Sequence, residues 1–430
     1  IRNQLRGGDT TDYLSYIRLK DVYGITEDLR VYYCSEGTDN VLGTLNTSEL
    51  NPNTPLVKVN TDNAIKSAIS DALLTVGVEV GENGVTVGDA SKIKDLELDG
   101  DKYNITSISA LSEISTLKTL TLSNLTLDNL DGLENCTLLT GIYFKNCKVN
   151  NYTKLSTAWN LQYLYLYLPP TMSETDANAQ VEKLGEGLVN ATEIKNLEYF
   201  GISGTIDIIE GLYSNDEGSN YNKWNLNNSS NSKVTDISKL EMFSDNIKNS
   251  IKYVYLNNNK ISSIDSLSGF GNIYELDIMN NNLQNFNGLE NHKSLTYLFA
   301  QRCDLKNIEG LSECSSLLKL SLTSNANLHS MKGLEDSQNI DHIEAGYCNI
   351  SDITALENNK ILRYLNLANN INLQNIIALK NCTGIKKLYL SGNENMIGTE
   401  VRDALADETT HVLQNCGPNY SLPTKYYIYV

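Results

Sequence analysis

The chain has 430 residues and carries 52 Asp plus Glu against 34 Lys plus Arg, a formal net charge of −18. A surface this acidic repels phosphate backbones, which excludes nucleic acid as an expected partner. Hydrophobic residues make up 40% of the chain, and no apolar run reaches the roughly 18 residues that a membrane-spanning helix needs.

Residues 1–58 match no repeat, and runs at 13–19 and 29–34 suggest β-structure, so a small β-rich module of unassigned role is expected there. Residues 59–95 read as a helical cap. Thr61 or Asp62 can cap a helix whose apolar face is Ile65, Ala68, Ile69, Ala72 and Leu73, a face suited to closing the open end of a stack.

From about Ile93 the chain repeats with a period of 22, clearest in GLENCTLLTGIYFKNCKVNNYT (132–153) and GLENHKSLTYLFAQRCDLKNIE (288–309). Aligning strand starts gives Leu96, Leu120, Ile142, Leu164, Phe200, Trp224, Val254, Leu276, Leu298, Leu320, Ile343, Leu365 and Leu388, about thirteen coils, with Trp224 the weakest fit. The residue two places on is again apolar, as in Leu98, Phe144, Leu256 and Ile278; this alternation is a short strand with one buried face. Apolar residues then recur every third position (Ile261, Ile264, Leu267, Phe270, Ile273), which suits a 3₁₀-like return leg better than an α-helix. No coil can bury its apolar edge alone, so the coils stack and their strands form a parallel sheet. Position six is Asn or Cys at Cys147, Asn259, Asn281, Cys303, Asn325, Cys348, Asn370 and Asn393. An Asn there can bond backbone groups of its own and the next coil where the stack has buried them.

This grammar, L-x-L-x-x-N/C-x-L-x-x-I-x-x-L over residues 96–397, resembles the leucine-rich repeats of the bacterial 22-residue class carried by the internalin family. The segment 60–100 resembles the small cap that precedes such repeats. The resemblance implies an α/β right-handed leucine-rich-repeat solenoid. It would be a curved horseshoe with a parallel concave sheet, a mostly 3₁₀ or irregular convex side, and helical N- and C-terminal caps. It also implies a secreted or cell-surface bacterial protein. In keeping with this, 27 Lys against 7 Arg is the composition of an AT-rich bacterial genome, and Ile1 with no leader behind it reads as a mature or trimmed product.

Two departures lengthen the solenoid, at 169–193 and 226–251. The first places Ala177, Val181, Leu184 and Leu188 at helical spacing, so an α-helix is expected to replace a return leg. Residues 398–430 are expected to form the C-terminal cap, with Thr399 as N-cap, Val401, Leu405, Val412 and Leu413 inward, and a stop at Gly417-Pro418.

Chemistry is sparse. Cys147, Cys303 and Cys348 at position six and Cys136, Cys314 and Cys382 on the return leg occupy different corners of the coil, too far apart to bridge. They read as buried free thiols, while Cys34 and Cys416 are unplaced. No C-x-x-C occurs to support zinc. His292, His329, His342 and His411 are scattered, with His342 on the outward face of a strand. Asp95, Glu97, Asp99 and Gly100 mimic the opening of a calcium loop, but the twelfth position is Thr106 and Leu96 and Leu98 already serve the repeat core. No catalytic residue, cofactor or metal is expected.

Residues flanking the buried strand positions point the other way, onto the concave sheet. They include Tyr143, Tyr163, Tyr165, Tyr167, Tyr199, Tyr253, Tyr255, Tyr297, Phe299, Tyr364 and Tyr389, with Asp277 and His342 among them. Tyr combines apolar area with few rotatable bonds and a polar tip, which recognition surfaces favour; packing across neighbouring strands would explain the same residues. The leading expectation is a protein ligand held on this face, in adhesion or another protein–protein interaction. Glycan or cell-wall polymer binding by the same face and an intracellular scaffold are alternatives. An active site hidden in residues 1–58 or between Pro169 and Ile251 has little behind it.

Overall fold

The computed structural model describes residues 52–204 and 232–396, with the backbone alone of 30–35 and 38–44. Those two backbone segments form an antiparallel pair, β1 (Arg30–Ser35) and β2 (Thr38–Thr44). Of the module expected at 1–58, residues 1–29, 36–37 and 45–51 lie outside the described residues, as do the segment around Trp224 and the C-terminal cap expected at 398–430.

Twelve parallel strands form one open sheet in chain order. The N-terminal five are β3 (Asp95–Asp99), β4 (Thr119–Ser123), β6 (Gly141–Lys145), β8 (Tyr163–Tyr167) and β9 (Tyr199–Ser203), with the two-residue pair β5 (Thr126–Leu127) and β7 (Lys148–Val149) beside them. The others are β10 (Tyr253–Tyr255), β11 (Glu275–Asp277), β12 (Tyr297–Phe299), β13 (Lys319–Ser321), β14 (His342–Glu344), β15 (Tyr364–Asn366) and β16 (Lys387–Tyr389).

Register follows the repeat. Leu96, Leu120, Ile142, Leu164 and Phe200 pair in sequence, then Val254, Leu276, Leu298, Leu320, Ile343, Leu365 and Leu388, and all are buried. β9 pairs directly with β10, Tyr199 opposite Tyr253 and Phe200 opposite Val254, so the described residues supply twelve strands to this sheet.

The return legs are mostly short 3₁₀ turns, such as Leu133–Asn135, Asp265–Leu267, Glu309–Leu311 and Thr354–Leu356. Side chains of Asn129, Asn151, Asn285 and Asp352 start four of the return legs by accepting from the amide two residues on, an Asx turn that fixes the chain's direction. Where a return leg opens with G-L-E, at Gly132, Gly288 and Gly333, φ is positive (111°, 96° and 109°) and an added Cβ would lie 2.3–2.5 Å from a carbonyl oxygen of the coil before. Only glycine lets neighbouring coils approach so closely.

Besides the four-residue turn Gly100–Tyr103, two α-helices interrupt the pattern. Glu174–Leu188, capped by Ser173, buries Ala177, Val181, Leu184 and Leu188 as the spacing predicts. It also buries Gln180, whose Oε1 accepts from the Val149 amide at 2.8 Å and the Tyr152 hydroxyl at 2.9 Å. A six-residue helix, Asp245–Ser250, was not expected from the sequence. At the N-terminal end Asp62 caps helix Asn63–Thr75, accepting from the Ala64 and Ile65 amides, and Ile65, Ala68, Ile69 and Leu73 join the solenoid core.

The sharpest regularity is polar. The Nδ2 of Asn325 donates to Leu322 O of its own coil and Ala300 O of the coil before, while its Oδ1 accepts from the amides of Cys303 and Leu305. Asn281, Asn370 and Asn393 bond in the same way. The partner is thus the preceding coil, not the next one, because the side chain points back beneath the previous turn. At Cys147, Cys303 and Cys348 the thiol takes over as donor, to Leu122 O, Ile278 O and Leu322 O.

Truncating Leu298 to Ala is expected to cost about 2–5 kcal/mol in chemical denaturation, with the loss spreading to adjacent coils. Asn325→Ala strands two amides and two carbonyls and should cost about 3 kcal/mol or more. Asn325→Cys keeps a donor and should cost clearly less; equal losses for the two substitutions would contradict the donor role.

Candidate binding face

On the sheet face opposite the core, the strand register sets side chains in rows that run across the strands. One row places Tyr163, Tyr199 and Tyr253 in direct register. Their rings stack face to face, Tyr163 on Tyr199 at 4.6 Å and Tyr199 on Tyr253 at 4.4 Å between centroids. The next row places Tyr143, Tyr165, Gly201 and Tyr255 in register. Tyr143 stacks on Tyr165 at 5.5 Å, and because Gly201 has no side chain Tyr165 and Tyr255 close over it at 6.2 Å. A Cβ on residue 201 would sit 2.5 Å from the Tyr165 ring. With Tyr167 these residues form a second apolar cluster, separate from the core.

The structure corrects how open this face is. Tyr165, Tyr167, Tyr255 and Phe299 were expected to stand in solvent, yet they are only 3%, 6%, 5% and 2% exposed. Asp277 has no exposure at all, and Glu275 and Met279 beside it are also buried. Alternation predicts which way a side chain points but not what covers it. Strands about 4.8 Å apart are narrower than an aromatic ring is wide, so rings in register cover each other and their neighbours.

Tyr143, Tyr163, Tyr199, Tyr253, Tyr297, His342, Tyr364 and Tyr389 are half-buried and do reach the surface. Burial pushes the Tyr199 phenol up to about 12, reinforced by Tyr253, and does the same to Tyr297, which also hydrogen-bonds Tyr274. Both hydroxyls therefore stay protonated donors at neutral pH.

Towards the other end the face becomes mixed. His342 stacks on Tyr364 at 4.1 Å, nearly parallel, and its Nε2 lies 3.4 Å from Glu344 Oε1. Burial alone would raise the Glu344 carboxyl, but hydrogen bonds from His342, Asn366 and Tyr364 hold it below its usual value. Lys319 lies in register between Tyr297 and His342, its ammonium shifted down by partial burial. Sequence reasoning missed Glu344 and Lys319, and also Tyr274, an exposed ring packed edge-on between Tyr253 and Tyr297 at 5.8 and 5.3 Å. Tyr274 has the parity of a core residue but lies just before β11, where the sheet no longer covers it.

The histidines do not converge. His292 is buried on a return leg with Nε2 3.2 Å from Leu267 O, the carbonyl corresponding to those that accept from Cys136 and Cys314 in other coils. His411 lies outside the described residues. Among the described residues no group of three or more His, Cys, Asp or Glu could hold a metal, and the six repeat cysteines are free and buried. Burial pushes the Cys136 and Cys314 thiols up to about 12 and Cys147, Cys348 and Cys382 to about 11.

This arrangement of stacked coils has solved counterparts. An internalin of Listeria monocytogenes, InlF, shares 17% identity with this chain at a TM-score of 0.53, over 86% of this chain and 98% of that one. The fold is that of an internalin-like leucine-rich-repeat solenoid. Internalin C2 (17% identity, TM-score 0.39, 73% of this chain and 97% of that one) and InlP (12%, 0.44, 74% and 72%), both of Listeria monocytogenes, are also similar to it. No protein-family model matches the sequence, and no curated protein does. In the internalin-like solenoid described here no helix among the described residues is long and apolar enough to cross a membrane.

Because Tyr255 and Phe299 are buried in this solenoid, changing both to Ala is expected to destabilise it by at least about 3 kcal/mol, read as a lowered unfolding midpoint. The six repeat thiols should resist alkylation in the folded protein and all react, without reductant, once it is unfolded.

Proposed function

We propose that this chain is a non-enzymatic binding module, secreted or attached to a bacterial surface, that holds a protein partner in adhesion against the half-buried tyrosines of its concave face. The observation that carries the reading is the ring stacking. Tyr199 has both faces covered, by Tyr163 and Tyr253, so this row offers ring edges and hydroxyls to whatever approaches. Edges and neutral phenols suit a protein surface, with its carbonyls, carboxylates and apolar side chains. Sugar rings bind tyrosine by lying on an open face, so the same stacking weakens the glycan reading. Nothing on this face favours an intracellular scaffold over a surface protein.

The test is capture of partners from host and bacterial surface extracts by the immobilised protein, with a glycan array run in parallel. The double variant Tyr199→Phe, Tyr253→Phe keeps the stacks and removes two hydroxyls. It should melt like the parent and bind a captured protein about 5- to 50-fold more weakly, the loss expected for one or two interfacial hydrogen bonds. Array binding with an empty pull-down would move the assignment to a glycan, and unchanged affinity in the double variant would move the interface off this row.

A further inference from the structure

In the middle of the tyrosine face lies a carboxylate that the proposed interface does not use. Asp277, at the end of β11, is wholly buried between its register partners Tyr255 and Phe299. Its Oδ1 accepts from the Met279 amide at 3.1 Å and its Oδ2 from Asn257 Nδ2 at 2.7 Å. Asn257, itself buried, accepts in turn from the Ser203 hydroxyl at 2.7 Å. The chain Ser203–Asn257–Asp277 thus ties together the ends of β9, β10 and β11. The titratable groups around Asp277 are Glu275 two residues back on the same strand, Tyr255 on the strand before and Cys303 after the strand beyond. None is a cation, and no ion pair to Asp277 is found among the described residues. Burial, against the two hydrogen bonds, raises the carboxyl to about 6.

We propose that Ser203–Asn257–Asp277 is a proton-operated switch that sets how firmly the middle of the tyrosine face is held, tight when Asp277 is protonated and looser when it is ionised. It supplies the regulation of the binding face and so rests on that reading. The chain can run in either direction over the same distances. With Asp277 ionised, Ser203 donates to Asn257 and Asn257 donates to the carboxylate. With Asp277 protonated, its own hydroxyl donates to Asn257 once that amide has turned over, and Nδ2 then donates to the Ser203 oxygen. Asn suits the middle position because its two ends exchange donor and acceptor by rotation. With Asp277 ionised, Asn257 Oδ1 also accepts from Asn258 Nδ2 at 3.4 Å, a long bond that the turned amide gives up; against that stands a dehydrated negative charge with no counter-ion among the described residues, which is unfavourable in a dry site.

The folded value lies above the ordinary carboxylate value of about 3.9. The stabilising contribution is therefore fully present below about pH 4 and lost as pH rises through about 6. A partner would meet a firmer tyrosine face in mildly acidic surroundings than at neutral pH.

The experiment uses the unliganded protein, so its failure is separable from failure of the binding assignment. Carbon-detected titration of the Asp277 carboxyl in the parent should show a midpoint near 6; a midpoint below about 4.5 overturns the switch. Hydrogen exchange in β9–β11, corrected for the intrinsic pH dependence, should slow roughly 10- to 100-fold from pH 7.5 to pH 4.5 in the parent. In Asp277→Asn, an uncharged stand-in for the protonated state, the same correction should leave protection nearly constant. Parallel pH profiles for the parent and Asp277→Asn, or unchanged protection in the parent, would also overturn it. If the variant does not fold, the titration and the parent's exchange still decide.

Discussion

Every coil turns a corner after its strand, and at that corner carbonyls and amides of two successive coils are shut away from water. The rest of the solenoid depends on satisfying them. A buried carbonyl or amide without a partner costs about 1–3 kcal/mol, and a stack of twelve strands repeats the problem at every step. In eight coils position six solves it with a side chain that reaches back to the previous coil, as Asn281, Asn325, Asn370 and Asn393 do, whereas Asp101, Leu125 and Pro169 hold that place after β3, β4 and β8. The requirement is for a small donor more than for one residue type, which is why thiols serve at Cys147, Cys303 and Cys348. A second set of return-leg side chains, Cys136, His292, Cys314 and Cys382, reaches a carbonyl of the preceding coil by the same logic.

Fixing each coil to the one before it has a consequence on the opposite face. The strands are locked in a register that places residues of the same repeat position side by side, so the character of a row is decided by one position read every 22 or so residues. Where that position is tyrosine three times running, rings must stack on each other. Where it is glycine, as at Gly201, the flanking tyrosines close the gap. The aromatic face is thus cohesive in its own right, a second apolar layer on the far side of the sheet from the leucine core.

The period and its donors made most of the architecture legible in the sequence. Leucine spacing located twelve strands, the helical spacing of Ala177, Val181, Leu184 and Leu188 located the inserted helix, and the Asp62 cap followed from residue type. Trp224, the weakest fit to the repeat, lies outside the described residues, and the strands on either side of its segment, β9 and β10, pair directly. The aromatic face was legible in direction but not in exposure. Tyr255, Phe299 and Asp277 have the parity of outward residues, yet their cover comes from the sizes of residues one coil away, which a pattern read along one chain segment does not weigh. Asp277 was legible as a charge and not as a buried one, since its partners Asn257 and Ser203 are 20 and 74 residues away in sequence.

Partial burial does not count against the remaining tyrosines as the proposed recognition surface; it changes the kind of recognition that the proposal assigns to them. A freely exposed tyrosine must give up rotamer freedom when it is bound, at about 0.5–1.5 kcal/mol for each side chain immobilised. Tyr163, Tyr199 and Tyr253 are already held by their stacks, so most of that cost is met on folding and their hydroxyls are presented at fixed spacing. A partner gains less apolar area from such residues than from open rings, but it meets a surface that need not reorganise. The arrangement favours selectivity for hydrogen-bonding geometry over adhesive contact, because groups held this rigidly cannot move to accommodate a poorly matched ligand. It would also tie the proposed recognition to the integrity of the solenoid: the hydroxyls are only as well placed as the register beneath them, which in most coils is held at asparagine and cysteine corners.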